Sequence, residues 1–193
     1  MNKMKSAVGG KRNRILWPVV LLLVLAGCSP FHLIQSESAY EKGIKAYLKF
    51  TNETDSTGKN VYKHEAIEYL DKSLTESKNL MQTDPGSDKG YLFYMKASIL
   101  LSQLDYNNGQ TYVENGLKVA QAFRTKTINT LQEACWGEYY FAKFVAGWTK
   151  ADSSMISEAI YACQFAREHL PLGPEKAECV TILEALQFRL NGN

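Results

Sequence analysis

The sequence predicts an all-α protein: a stack of antiparallel helical hairpins, about seven helices, behind an N-terminal targeting segment. Three observations predict it. Beyond position 29, proline stands only at 30, 85, 171 and 174, which leaves long runs without the residue that breaks helices. Apolar residues return every three or four positions, and no run alternates as a strand does. Turn-forming clusters cut the chain into helix-length pieces with short connections, which makes neighbours antiparallel.

The first thirty residues read as an export signal. Lys3, Lys5, Lys11, Arg12 and Arg14 are their only ionised side chains. An apolar run over 15–27 follows, broken only by Pro18 and shorter than the ~20 residues a membrane span needs. It closes on Leu25-Ala26-Gly27-Cys28, which resembles the lipobox of bacterial lipoproteins. The resemblance implies that residues 1–27 are cleaved. It also implies that Cys28 carries a diacylglycerol and an N-acyl chain, several chains being needed for stable anchoring. In Gram-negative lipoproteins an Asp after the cysteine retains the protein at the inner membrane. Ser29 therefore implies the periplasmic face of the outer membrane.

The mature chain, 28–193, has 166 residues, enough for one domain with a core. The signal holds five of the 22 basic residues and none of the 20 acidic ones, so the mature charge is −3. An acidic chain without a basic block argues against nucleic-acid binding.

Residues 28–35 read as a lipidated tether and 36–190 as the folded domain. The first helix is expected from Ser36 or Ser38 to Phe50, followed by a polar loop over 51–60. The second covers 61–81, with Ala66, Leu70, Leu74 and Met81 among its apolar positions, and Asp84-Pro85-Gly86 ends it. The third covers 87–104; its block Tyr91-Leu92-Phe93-Tyr94-Met95 implies burial on more than one side. After the turn Asn107-Asn108-Gly109, the fourth runs to Phe123, and a long fifth spans 128–150. Asp152 or Ser153 caps the sixth, which ends near His169. Pro174 opens the seventh, and Asn191-Gly192 closes it.

Small residues repeat. Ala97, Gly109 and Gly116 are spaced 12 and 7 apart, as are Gly147, Ala159 and Ala166; Ala66 and Ser73 are again 7 apart. This pattern, with Pro171 following Ala166, resembles a degenerate tetratricopeptide (TPR) repeat. Lys96, Lys143 and Lys150 depart from the repeat's preferences, and the two sets lie 50 residues apart rather than 34. The resemblance implies a groove lined by the first helix of each pair, here carrying Tyr91, Tyr94, Phe141, Phe144 and Trp148. On the fifth helix Trp136, Tyr140, Phe144 and Trp148 recur every four residues. Such a stripe serves either as core or as an aromatic recognition surface.

Besides Cys28 the chain has Cys135, Cys163 and Cys179. Cys163 and Cys179 lie eight residues either side of position 171, level on antiparallel helices, and form a candidate disulfide worth ~3 kcal/mol. Cys135 and Cys163 are also level, about residue 149, so the pairing stays open. His32, His64 and His169 are scattered, with no metal-ligand spacing, and His169 suits a helix C-terminus. No nucleophile elbow, phosphate loop or CxxC pair occurs. The expectation is therefore no enzyme, no metal and no cofactor beyond the lipid on Cys28.

The resulting functional expectation is a membrane-anchored scaffold or assembly factor that binds an envelope protein. The alternative rests on resemblance to the TPR lipoproteins associated with TRAP-type transporters. Those partner a periplasmic solute-binding protein, and a ligand passes through the helical stack.

Overall fold

The computed structural model describes residues 29–126 and 130–192. Every regular element among them is a helix: α1 Ser29–Asn52, α2 Ser56–Thr83, α3 Asp88–Leu104, α4 Gly109–Thr125, α5 Leu131–Gly147, α6 Ser153–His169 and α7 Pro174–Asn191. The export signal, with Leu25, Ala26, Gly27 and Cys28, lies outside the described residues, as does the expected helix start at Ile128. No described helix is long and apolar enough to cross a membrane.

The boundaries differ from expectation in three places, each for a local reason. The segment expected as a tether over 28–35 is helical from Ser29 and docked on α2. His32 is buried with Nδ1 2.7 Å from Glu76 Oε2, and Ser36 Oγ lies 2.6 Å from Ser77 Oγ, while Ser73 donates to the Ser36 carbonyl at 3.1 Å. These contacts supply polar partners along a face that burial would otherwise leave unsatisfied. The polar loop shrinks to three residues. Asp55 caps α2 by accepting the Gly58 N–H at 2.8 Å, and Glu53 accepts the N–H groups of Thr54 and Asp55 at 2.9 and 3.0 Å. Finally, α5 is shorter at both ends. Thr130 and Glu133 form a capping box at its start. At its end the Arg189 guanidinium donates to the carbonyls of Val145, Ala146 and Trp148 at 2.7–3.0 Å. The later termini follow the sequence. Asp152 caps α6 by accepting the Met155 N–H at 2.8 Å. His169 closes it with Nδ1–H donating to the Phe165 carbonyl at 2.9 Å, and Pro174 opens α7.

Each helix packs on the next as an antiparallel hairpin partner. In addition α1 touches α3, α3 touches α5 and α5 touches α7, whereas the backbones of α2, α4 and α6 stay apart from one another. The odd-numbered helices therefore form the tighter, inner layer. Among the described residues, polar side chains bridge the outer layer: the Tyr112 hydroxyl donates to Asp71 at 3.0 Å, and Arg124 donates to Glu158 at 2.8 Å. One apolar core runs through α3 to α7 around Met95, Phe123, Phe144 and Leu186. A smaller one joins α1, α2 and α3 around Ala46, Leu70 and Leu101.

Small residues sit where helices approach most closely. Ala66, Ser73, Ala97, Ala159 and Ala166 are all fully buried. A Cβ added to Gly116 would run into the Phe144 ring of α5, and one added to Gly43 would meet Leu70 Cγ at 2.7 Å. Gly147 is the exception in the repeated set, exposed and with only Val113 Cγ2 at 3.9 Å from an added Cβ. Gly116→Ala is expected to cost about 1–3 kcal/mol through overpacking. Gly147→Ala is expected to be neutral or stabilising by up to about 1 kcal/mol. Urea unfolding of the two variants checks the pair, and equal effects would contradict the packing.

Candidate functional site

The inner layer carries one hollow to which all four odd-numbered helices contribute. Its volume is about 210 Å³. Tyr40 comes from α1, Lys96, Ile99 and Leu100 from α3, Tyr139, Tyr140 and Lys143 from α5, and Pro174, Glu175 and Glu178 from α7. Residues more than 130 positions apart thus face the same space, which requires the inner layer to curl.

Within it, one set of charges is closed. Glu178 accepts from the Tyr139 hydroxyl and from Lys143 Nζ at 2.7 Å, and Lys143 also lies 3.2 Å from the Tyr139 oxygen. Burial raises the Glu178 carboxyl, but the Lys143 and Tyr139 hydrogen bonds outweigh it and hold the group below its ordinary value. Burial, then the same carboxylate, pushes the Tyr139 phenol up.

The tyrosines behind this pair are stacked and dry. Trp136 stacks on Tyr140 with centroids 6.0 Å apart, and Tyr139 meets Tyr140 edge-on at 4.9 Å. Burial and the nearby Glu175 charge push the Tyr40 phenol up to about 12, and burial drives Tyr140 well above its ordinary value. All these phenols are neutral hydroxyls at physiological pH, available as donors and acceptors.

A second hollow, of about 350 Å³, adjoins the first through Ile99 and Lys143 and is walled by Phe144, Val113 and Gln110. A third, of about 480 Å³, lies between the C-terminal ends of α5 and α7 around Trp148, Phe188 and Arg189.

The five groove residues inferred from the repeat do not share one surface. Tyr91 packs on Phe123 at 5.4 Å under the Lys126 ammonium. Tyr94 is half-buried, and burial raises its phenol. Phe141 is buried with the Arg124 guanidinium 3.9 Å from its ring centre, toward α4. Phe144 is buried against Gly116 and borders the second hollow, and Trp148 borders the third. The reason is angular. Four residues advance a helix by about 400°, so a four-residue stripe drifts about 40° per step. From Trp136 to Trp148 it turns by about a third of a revolution and leaves the inner face. Tyr140, in that stripe, does face the shared hollow. Tyr40, Lys96, Tyr139, Glu175 and Glu178 were missed. Their signal was the odd-numbered helices' common inner positions, which sequence alone does not align across four helices.

Cys163 and Cys179 meet as expected from the hairpin arithmetic. Both are buried thiols, and Cys163 Sγ donates to the Cys179 carbonyl at 3.4 Å. A hydrogen bond with Cys179, together with burial, pushes the Cys163 thiol up. Cys135 instead donates to the Leu131 carbonyl of its own helix at 2.9 Å. Among the described residues no His, Cys, Asp and Glu cluster could hold a metal ion. Comparison with family models, curated proteins and solved structures gives no match.

Two outcomes follow from this geometry. Lys143→Met is expected to lower stability by about 1 kcal/mol at neutral pH, because Met keeps the stem packed but removes the charge. The Glu178 carboxyl has a depressed folded-state value, so the pair's contribution is present above the ordinary carboxylate range and is lost as pH falls through that depressed value. Denaturant titrations of both proteins across acidic pH should therefore converge. A constant difference would show that Lys143 acts by packing alone. Cys163 and Cys179 are free thiols in this structure, so the disulfide expected from the sequence is tested by unfolding the exported protein in a thiol reagent, where one reactive group before reduction and three after would support it. Three without reduction would exclude the Cys163–Cys179 disulfide.

Proposed function

We propose that the mature chain is a lipid-anchored recognition scaffold of the bacterial envelope. Cys28 would hold it by acyl chains to the periplasmic face of the outer membrane. TPR-like hairpins would present their inner layer to a partner protein of that compartment. The observation that carries this reading is the shared hollow. Four helices converge on a charged, tyrosine-rich depression, as a site for a partner's side chains requires. The lipobox-like run before Ser29 supports the anchor. Because α1 is docked from Ser29 onward, acylation at Cys28 would set the folded domain directly on the bilayer.

The transporter-associated reading needs a passage for ligand between the third and fifth helices. The hollow between those helices is charged rather than apolar, lined by Lys96, Lys143, Glu175 and Glu178, which supports the scaffold reading.

A photo-crosslinking residue placed at position 100, beside the hollow, is expected to give a discrete protein adduct in intact cells. The same residue at Tyr161, 74 % exposed on α6, is expected to give none. Cys28→Ala should release the protein from the membrane fraction and abolish fatty-acid labelling. Equal adducts from both positions would contradict recognition through the inner layer, and an unlabelled wild-type Cys28 would contradict the anchor.

A further inference from the structure

The shared hollow contains a second pair of charges that the chain leaves open. Lys96 Nζ lies 5.8 Å from the centre of the Trp136 ring and forms no ion pair with a carboxylate among the described residues. Glu175, half-buried at the start of α7, forms no ion pair with a cation among them either. The two line one space yet do not neutralise each other. With them stands Tyr140, 4 % exposed as a residue, which lines the hollow and whose hydroxyl forms no hydrogen bond among the described residues. A hydroxyl without a partner in the chain is free to donate to, or accept from, an incoming polar group. Lys143 and Glu178, by contrast, satisfy each other and act as a wall.

An anion alone would suit Lys96 but meet Glu175, and a cation alone the reverse. An apolar group would leave Lys96, Glu175 and the Tyr140 hydroxyl all unpaired. What fits is a group bearing both signs. The space is an open depression of about 210 Å³, room for a small polar group.

We propose that this hollow is a seat for a single zwitterionic group of amino-acid size. Its anionic end is held by Lys96 and the Tyr140 hydroxyl. Its cationic end is held by Glu175 against the tyrosine rings, where cation–π attraction adds to the ion pair. The assignment rests on the inner layer being the recognition surface and names the chemistry that surface reads. The group comes either from a free amino acid or from neighbouring acidic and basic side chains of a partner chain.

The test is calorimetric titration of the full chain, purified in detergent, with four probes. These are free glutamine, N-acetylglutamine, glutamine methyl ester, and an end-capped peptide with adjacent Lys and Glu. Glutamine or the peptide is expected to bind at least tenfold more tightly than either singly charged derivative. Glutamine preference identifies a free amino acid as the source, and peptide preference identifies a partner chain. Lys96→Met and Glu175→Gln should each weaken the preferred probe at least tenfold with the melting temperature unchanged. Tyr140→Phe should weaken it less, again without loss of stability. No binding by any probe, equal binding by a singly charged derivative, or full binding by Lys96→Met and Glu175→Gln would overturn the proposal. If a position-100 adduct nevertheless survives in cells, the zwitterion seat is wrong while recognition through the inner layer stands. Zwitterion binding without that adduct leaves the seat and removes the protein partner.

Discussion

Successive helices in this chain approach each other at points where a side chain is missing on one of them. Gly43 lies against Leu70, Gly90 against Met81, Gly116 against the Phe144 ring and Gly137 against Phe123. Close approach at these points lets a large residue on the facing helix fill the gap, and protein interiors tolerate little deviation from such fits. Were the helices held apart there, the two cores would open, and the inner layer would lose its direct contacts between alternate helices. The order of the stack therefore depends on glycine and alanine more than on any ion pair.

From that packing comes the placement of the chemistry. The odd-numbered helices touch and the even-numbered ones do not, so the odd layer lies inside a curl. Side chains from α1 and α7, at opposite ends of the folded chain, thereby reach one depression. The polar groups there divide cleanly. Tyr139, Lys143 and Glu178 satisfy one another and stiffen the wall, whereas Lys96, Glu175 and Tyr140 remain available.

The helical class and most boundaries were legible in the sequence, because local chemistry decides them. Asp152 caps a helix through its own carboxylate, Pro174 sits in a first turn, and Asp84-Pro85-Gly86 ends α2. Level Cys163 and Cys179 were legible from hairpin symmetry. The first helix was placed too late because what holds 29–35 is tertiary: Glu76, Ser73 and Ser77 on another helix supply the partners. The groove was misplaced for a related reason. A four-residue spacing looks like one face in sequence but rotates on a real helix, so Phe144 turned into the core, while Phe141, placed by the repeat alignment, is buried against Arg124 of α4. The hollow itself depends on register between four helices, and none of its free groups belongs to a local motif.

The convergence of α1 and α7 is open to one direct measurement. A nitroxide on position 41, next to Tyr40, is expected to broaden the amide resonances of 174–178 in the folded chain, with those of α6 near Tyr161 much less affected. Unchanged signals at 174–178 would mean that the two ends of the stack do not face a common space, and the inner site would not exist.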